Sequence, residues 1–190
     1  MSAAEKPRIF QSGGDMVLSL LIIVVLMVVS VGATGLCSYE PGTPENGPVR
    51  EVDARTFMGM EARASAFPVR MPESPEGWIT NSARRGMIEQ TPAPIVGWVT
   101  AERGYIQLTQ TSLPLADAVR AIDAHPRDLD RTIDVAGQPV EVYHSEESDV
   151  RDLWAVDMGD TRLLFSGAGR EEDFLTIIEA TVTSEPLPGV

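Results

Sequence analysis

Between residues 16 and 36 the chain runs 21 positions without a charge, and its centre, LSLLIIVVLMVV, is almost purely aliphatic. A helix of that length, rising 1.5 Å per residue, reaches across the ~30 Å hydrocarbon layer of a bilayer. The pattern then changes abruptly. Residues 39–49, YEPGTPENGPV, hold three prolines and two glycines with almost nothing to bury, the composition of an extended linker.

Past the linker, apolar positions recur at helical and strand periods in turn. Val52 and Asp53 read as an apolar residue followed by a helix N-cap. Phe57, Met60, Ala64 and Phe67 then form one stripe, and Pro68 stops the helix. A strand is predicted over 78–84, followed by two β-rich runs over 95–100 and 105–111. Ser112 and Pro114 open a second helix that buries Leu115, Ala118, Val119 and Ile122 and ends at Pro126. Two hairpins follow. One joins 131–135 to 140–144 through Ala136-Gly137-Gln138, the other joins 152–158 to 161–167 through Gly159-Asp160. A last helix over 171–182 turns Phe174, Ile177, Ile178 and Val182 inward, with three acids in its first turn where the dipole favours them. Hairpins with helices inserted among them are α+β order. The expected architecture is therefore an N-terminal transmembrane helix, then a mostly antiparallel sheet of about six to seven strands with helices on one face.

Three readings compete for the apolar stretch. A secretory signal peptide has an apolar core of only about 7–15 residues. A lipoprotein signal needs a small residue before the acylated cysteine, and Leu36 precedes Cys37. An uncleaved signal anchor fits best. Lys6, Arg8 and the terminal amine precede it, whereas the next basic residue beyond it is Arg50, so the positive-inside bias leaves the amino terminus in the cytoplasm. The resulting organisation is a cytoplasmic 1–15, an anchor 16–36, a linker 37–49, an extracytoplasmic domain 50–184 and a flexible tail 185–190.

Charge narrows the function classes. The chain carries 15 basic and 28 acidic residues, a net charge of −13. A nucleic-acid binder needs cationic surface to displace counterions, so that class is excluded. The whole imbalance lies beyond the anchor, which suits a domain kept off an anionic membrane surface. The single cysteine, Cys37, rules out an intrachain disulfide.

Several segments together resemble a known family. These are KPRIFQSGGDMVLSL, GLCSYEPG, FPVRMPESPEGWITNSARR, GYIQLTQT, DVAGQPVEVY and LWAVDMGDTRLLFSGAG. The chain resembles an uncharacterised actinobacterial membrane-anchored family, the domain of unknown function four-two-four-five. That resemblance implies a membrane-anchored envelope protein of a high-GC Gram-positive bacterium, and it brings no catalytic residues.

Candidate chemistry is sparse. His125 precedes Pro126 at a helix end, where a cation is favoured. His144 opens HSEESD, and Glu146, Glu147 and Asp149 are oxygen ligands suited to weak Ca²⁺ binding, yet the run lacks the alternation and glycine of a calcium loop. It reads better as an exposed acidic hairpin end. Cys37 has no histidine nearby in sequence, and Ser166 lacks the preceding glycine of a nucleophile elbow. Gly167 and Gly169 precede a helix, but Glu171, Glu172 and Asp173 would repel a phosphate there. Arg84-Arg85 reads as a solvated strand end. Trp78, Trp98, Tyr105, Tyr143 and Trp154 fall on or beside expected strands, and core packing accounts for them. The alternative is that they line one sheet face as a ligand or partner surface.

The expected function is a non-enzymatic, membrane-anchored, extracytoplasmic interaction or accessory module. It would be held in the lipid bilayer through residues 16–36 and bind a membrane protein partner, with no cofactor, metal or nucleic acid. An amphiphile carrier for a lipid or glycolipid is the alternative, and requires helix 115–125 to leave a groove over the sheet. An envelope hydrolase stands third; it requires acids, or an acid with His144, to converge in one cleft.

Overall fold

A computed structural model of the chain describes residues 13–33, 49–123 and 125–189. The chain divides into two units, Met1–Gly47 and Pro48–Val190. In the first, helix α1 covers Gly13–Ala33. Among the described residues no helix is long and apolar enough to cross a membrane. The described side chains of α1 form an unbroken run only over 16–30, about 22 Å of helix. The linker and Cys37 lie outside the described residues.

The second unit begins with helix α2, Ala54–Ala64, where Asp53 Oδ1 accepts the Thr56 N–H at 3.1 Å, the cap expected from sequence. Its buried stripe differs from the expected one. Ala54, Met58, Glu61 and Ala62 face inward, while Met60 is 53% exposed and Phe67 packs in the core from beyond the helix end. The shift follows from Glu61. Its carboxylate is buried against β1 (Ile79–Ile88), where the Arg85 guanidinium donates to both oxygens, at 2.7 Å to Oε1 and 2.9 Å to Oε2.

Strand β1 turns through Glu89, at φ 54°, into β2 (Thr91–Val99), which leads to β3 (Tyr105–Thr111). Both β1 and β2 extend beyond the predicted ranges. Pro92 and Pro94 are tolerated because β2 pairs with β3 only over Ile95–Val99, so the prolines sit where one side of the strand is unpaired. Helix α3, Leu115–Ala121, then crosses to the far edge strand β4 (Asp128–Val135). The chain returns through β5 (Gln138–His144), β6 (Leu153–Asp157) and β7 (Arg162–Gly167), and ends in helix α4, Glu171–Thr183. Ala136 and Gly137, at φ 54° and 80°, give the β4–β5 hairpin the paired positive angles that match strand twist. All seven strands form one antiparallel sheet in the order β1-β2-β3-β7-β6-β5-β4.

The helices do not share one face, contrary to the sequence reading. Helices α2 and α4 pack with Trp98, Ile106, Leu108, Trp154, Val156, Leu163 and Phe165 on one side. Helix α3 packs Ala118 and Val119 on the other, against Leu153, Ala155 and Leu164. Neighbouring positions on β6 and β7 are buried on opposite sides, which requires cover on both. The segment before β1 is tied down by Gln110, whose side chain accepts the Arg70 N–H at 2.8 Å and donates to the Arg70 carbonyl at 2.7 Å. Leu187, expected in the tail, donates its N–H to the Val69 carbonyl at 2.8 Å and packs against the core.

Candidate functional site

The five aromatic candidates do not form one surface. Trp98 and Trp154 are buried beneath α2 and α4, and Trp78 packs half-buried on that same core. Tyr143 packs on the α3 side, and alternation along β3 places Tyr105 on that side as well, opposite Ile106 and Leu108.

Tyr105 belongs to a polar array built by strand register. Ser82, Gly97, Gln107 and Ser166 are consecutive cross-strand partners from β1 to β7. The Tyr105 hydroxyl lies 3.2 Å from Ser82 Oγ, with β2 running between their strands. The side chain spans that gap by lying down over Gly97, where any Cβ would come within 3.0 Å of Tyr105 Oη and Ser82 Oγ. Beside it, Arg84 Nη2 donates to Gln107 Oε1 at 3.2 Å, and Gln107 Nε2 donates to Ser166 Oγ at 3.4 Å. Arg84 and Arg85 thus take opposite sides of the strand.

A cleft of about 500 Å³ opens beside α3, lined by Ala116, Val119, Arg120, His125, Arg127 and Tyr143. Burial, then the Glu141 carboxylate to which the phenol donates, pushes Tyr143 up to about 12. The Arg127 side chain is only 5% exposed, and forks onto the two Asp123 oxygens at 2.7 and 2.9 Å. Burial raises the Asp123 carboxyl, but the Arg127 and His125 hydrogen bonds outweigh it and leave it below the usual carboxylate value.

Both histidines fasten the β5–β6 loop. His125 Nδ1 lies 2.8 Å from Glu147 Oε2, and His144 Nδ1 lies 2.7 Å from Asp152 Oδ1. His125 stands beyond the end of α3, and His144 closes the base of the loop. Among the described residues no three His, Cys, Asp or Glu side chains gather where they could hold a metal ion.

The third feature is a cleft of about 430 Å³ at the start of α4, bordered by Arg131, Trp154, Glu171 and Phe174. Trp154 stacks on Phe174 with ring centroids 5.2 Å apart and planes within 5°, and the Arg131 guanidinium sits 5.5 Å from the Trp154 centroid. Asp173 Oδ2 accepts the Arg170 N–H at 2.9 Å, so the helix start is capped by its own chain. Gly169 admits Ile106, whose side chain comes within 3.0 Å of where a Cβ would stand, and Gly167 meets the Tyr105 backbone as closely. These glycines serve packing.

Sequence reasoning missed the row from Ser82 to Ser166 and the buried Arg127. The alternation of Tyr105 and Gln107 was visible, but their alignment with Ser82 depends on pairing across three strands.

No curated protein and no solved structure matches the chain. A family model described as a protein of unknown function, DUF4245, matches residues 8–181. That match takes in α1 and the sheet domain together, and the chain therefore belongs to this family.

Proposed function

We propose that the protein is a membrane-anchored, non-enzymatic accessory module of a bacterial envelope, with its sheet domain outside the membrane and its amino terminus in the cytoplasm. One observation carries the reading. The large apolar side chains of α1 from Met16 to Val29 are each between 49% and 78% exposed, on every side of the helix. An all-round apolar helix belongs in a protein core or a bilayer. Eleven of these side chains are Val, Leu or Ile, each worth roughly 0.3–0.6 kcal/mol at a bilayer centre. Lys6 and Arg8 before the helix favour the proposed orientation. Tethering would raise the domain's effective concentration toward neighbours in the same membrane. The test is alkaline carbonate extraction of native membranes, followed by protease treatment of intact spheroplasts. Retention in the pellet with loss of the domain to external protease is expected. Release at high pH would refute the anchor, and protection of the domain would refute the orientation.

The α3 cleft favours a second reading, an amphiphile carrier. Its Ala116, Val119 and Pro126 offer apolar contacts beside Tyr143. On that reading native mass spectrometry of the full-length protein in mild detergent detects a retained lipid, and Ala116→Trp, which fills the cleft, removes it. An unliganded spectrum from freshly extracted protein would dismiss the carrier.

A further inference from the structure

We propose that the part of the sheet left uncovered by α3, across β1, β2, β3 and the end of β7, is the docking surface for a protein partner that presents carboxylates to Arg84. The inference rests on the accessory-module reading and assigns its interface.

Cover on the two sides of the sheet is unequal. Helices α2 and α4 close one side, whereas α3 is seven residues long and closes only part of the other. Ser82, Arg84, Ile95, Tyr105, Gln107 and Ser166 remain half-buried or exposed there. The chain carries 28 acidic residues, yet none is among these six, and Arg84 is the one charged side chain of the group; Arg162, on the same side at the start of β7, is already paired with Asp157 at 3.1 Å. The acids at the margins of this surface stand in the hairpin turns. They are Glu89 and Glu102, and the latter is paired with Arg170 at 3.1 Å. The far edge strand β4 of the same sheet, by contrast, exposes Asp128, Asp130 and Asp134. The depletion of carboxylates among the six, with Tyr and Arg at the centre, is the composition of a protein interface.

The surface is also pre-organised. Tyr105 is laid over Gly97 and held to Ser82, and Arg84, Gln107 and Ser166 hold one another across the strands. Rotamer entropy that binding would otherwise cost is already lost in folding. The Arg84 guanidinium meets an amide rather than an acid, so a partner carboxylate would supply the charge that this chain withholds.

The experiment uses the full-length chain in its native membrane, with photoreactive benzoylphenylalanine at Ile95 on the surface and, as control, at Thr176 on the exposed side of α4. Position 95 is expected to yield one dominant protein adduct that position 176 does not give, with an Asp or Glu in the cross-linked partner peptide. Arg84→Glu should lower its yield at least roughly tenfold while Arg84→Lys retains it, since charge reversal turns an attraction into a repulsion. Thermal melts of each variant confirm that the domain still folds. No adduct at 95, equal adducts at both positions, indifference to Arg84→Glu, or adducts only to lipid or glycan would overturn the proposal. Pellet and supernatant are read in the same samples, so a failed anchor is distinguished from a failed interface.

Discussion

Glycine positions separate packing from function at the scale of single residues. A Cβ on Gly97 would strike the far end of the Tyr105 side chain, which can swing away. Gly97→Ala is therefore expected to cost only about 1 kcal/mol of stability, while displacing Tyr105 and weakening any partner that uses it. Gly167 combines φ 146° with a Cβ position within 3.0 Å of the Tyr105 carbonyl, and backbone cannot swing away. Gly167→Ala should lose about 3 kcal/mol or more, measured by urea denaturation of the two variants side by side. Tyr143 sets a different kind of test. Its folded value of about 12 exceeds the ordinary tyrosine value of 10.0, so the folded state holds the phenolic proton more tightly. The linked stability is fully present below pH 10 and is lost as pH rises toward 12. Ultraviolet titration should show one late phenol that Tyr143→Phe removes, and the variant's stability should fall less steeply across that window.

At the scale of elements, the turn-bounded hairpins and α4 were the most legible. Ala136-Gly137 and Gly159 mark turns by their own chemistry, and all four inward positions expected of α4 are buried. The β1–β2 hairpin was not legible, because its turn places a glutamate at positive φ and its second strand opens with two prolines. The stripe of α2 was misjudged for a related reason: Glu61 is buried only because Arg85, distant in sequence, meets it. The side taken by α3 did leave a trace, since LWAV and LLF are apolar without alternation and so signal cover on both faces. The tyrosine-centred surface left only half of one, because alternation places Tyr105 and Gln107 together but strand pairing brings Ser82 and Ser166 to them. Helix α4 supplies the sharpest test of the packing. Phe174 is 5% exposed and stacks on Trp154, so Phe174→Ala should cost about 3–5 kcal/mol. Hydrogen exchange is expected to rise first in α4 and around Trp154, where Arg131 loses its fixed ring; unchanged protection would contradict the packing account.

The whole molecule joins two units whose stability has different sources. The sheet domain buries its own core, with Trp98, Ile106, Leu108 and Phe165 at 0% exposure. Helix α1 leaves its described large apolar side chains exposed, and on the anchor reading a bilayer covers them. This difference makes a two-sided prediction. The eleven aliphatic side chains of α1 together favour a bilayer by roughly 3–7 kcal/mol, against about 2.5–3.5 kcal/mol lost per central arginine. One substitution, Val25→Arg, should therefore leave the chain partly in the membrane fraction. The pair Ile22→Arg and Leu26→Arg, one turn apart, should move most of it to the alkaline supernatant. In both variants the domain should melt as in the unmodified chain, because residues Pro48–Val190 form their own compact unit. Near-ultraviolet circular dichroism, dominated by the buried tryptophans, reads the domain independently of where the chain fractionates. If the double variant stays in the pellet with an intact domain spectrum, the attachment lies in the sheet domain or a partner rather than in α1. If the spectrum collapses as well, α1 contributes to the domain's core, and the independence of the two units is lost.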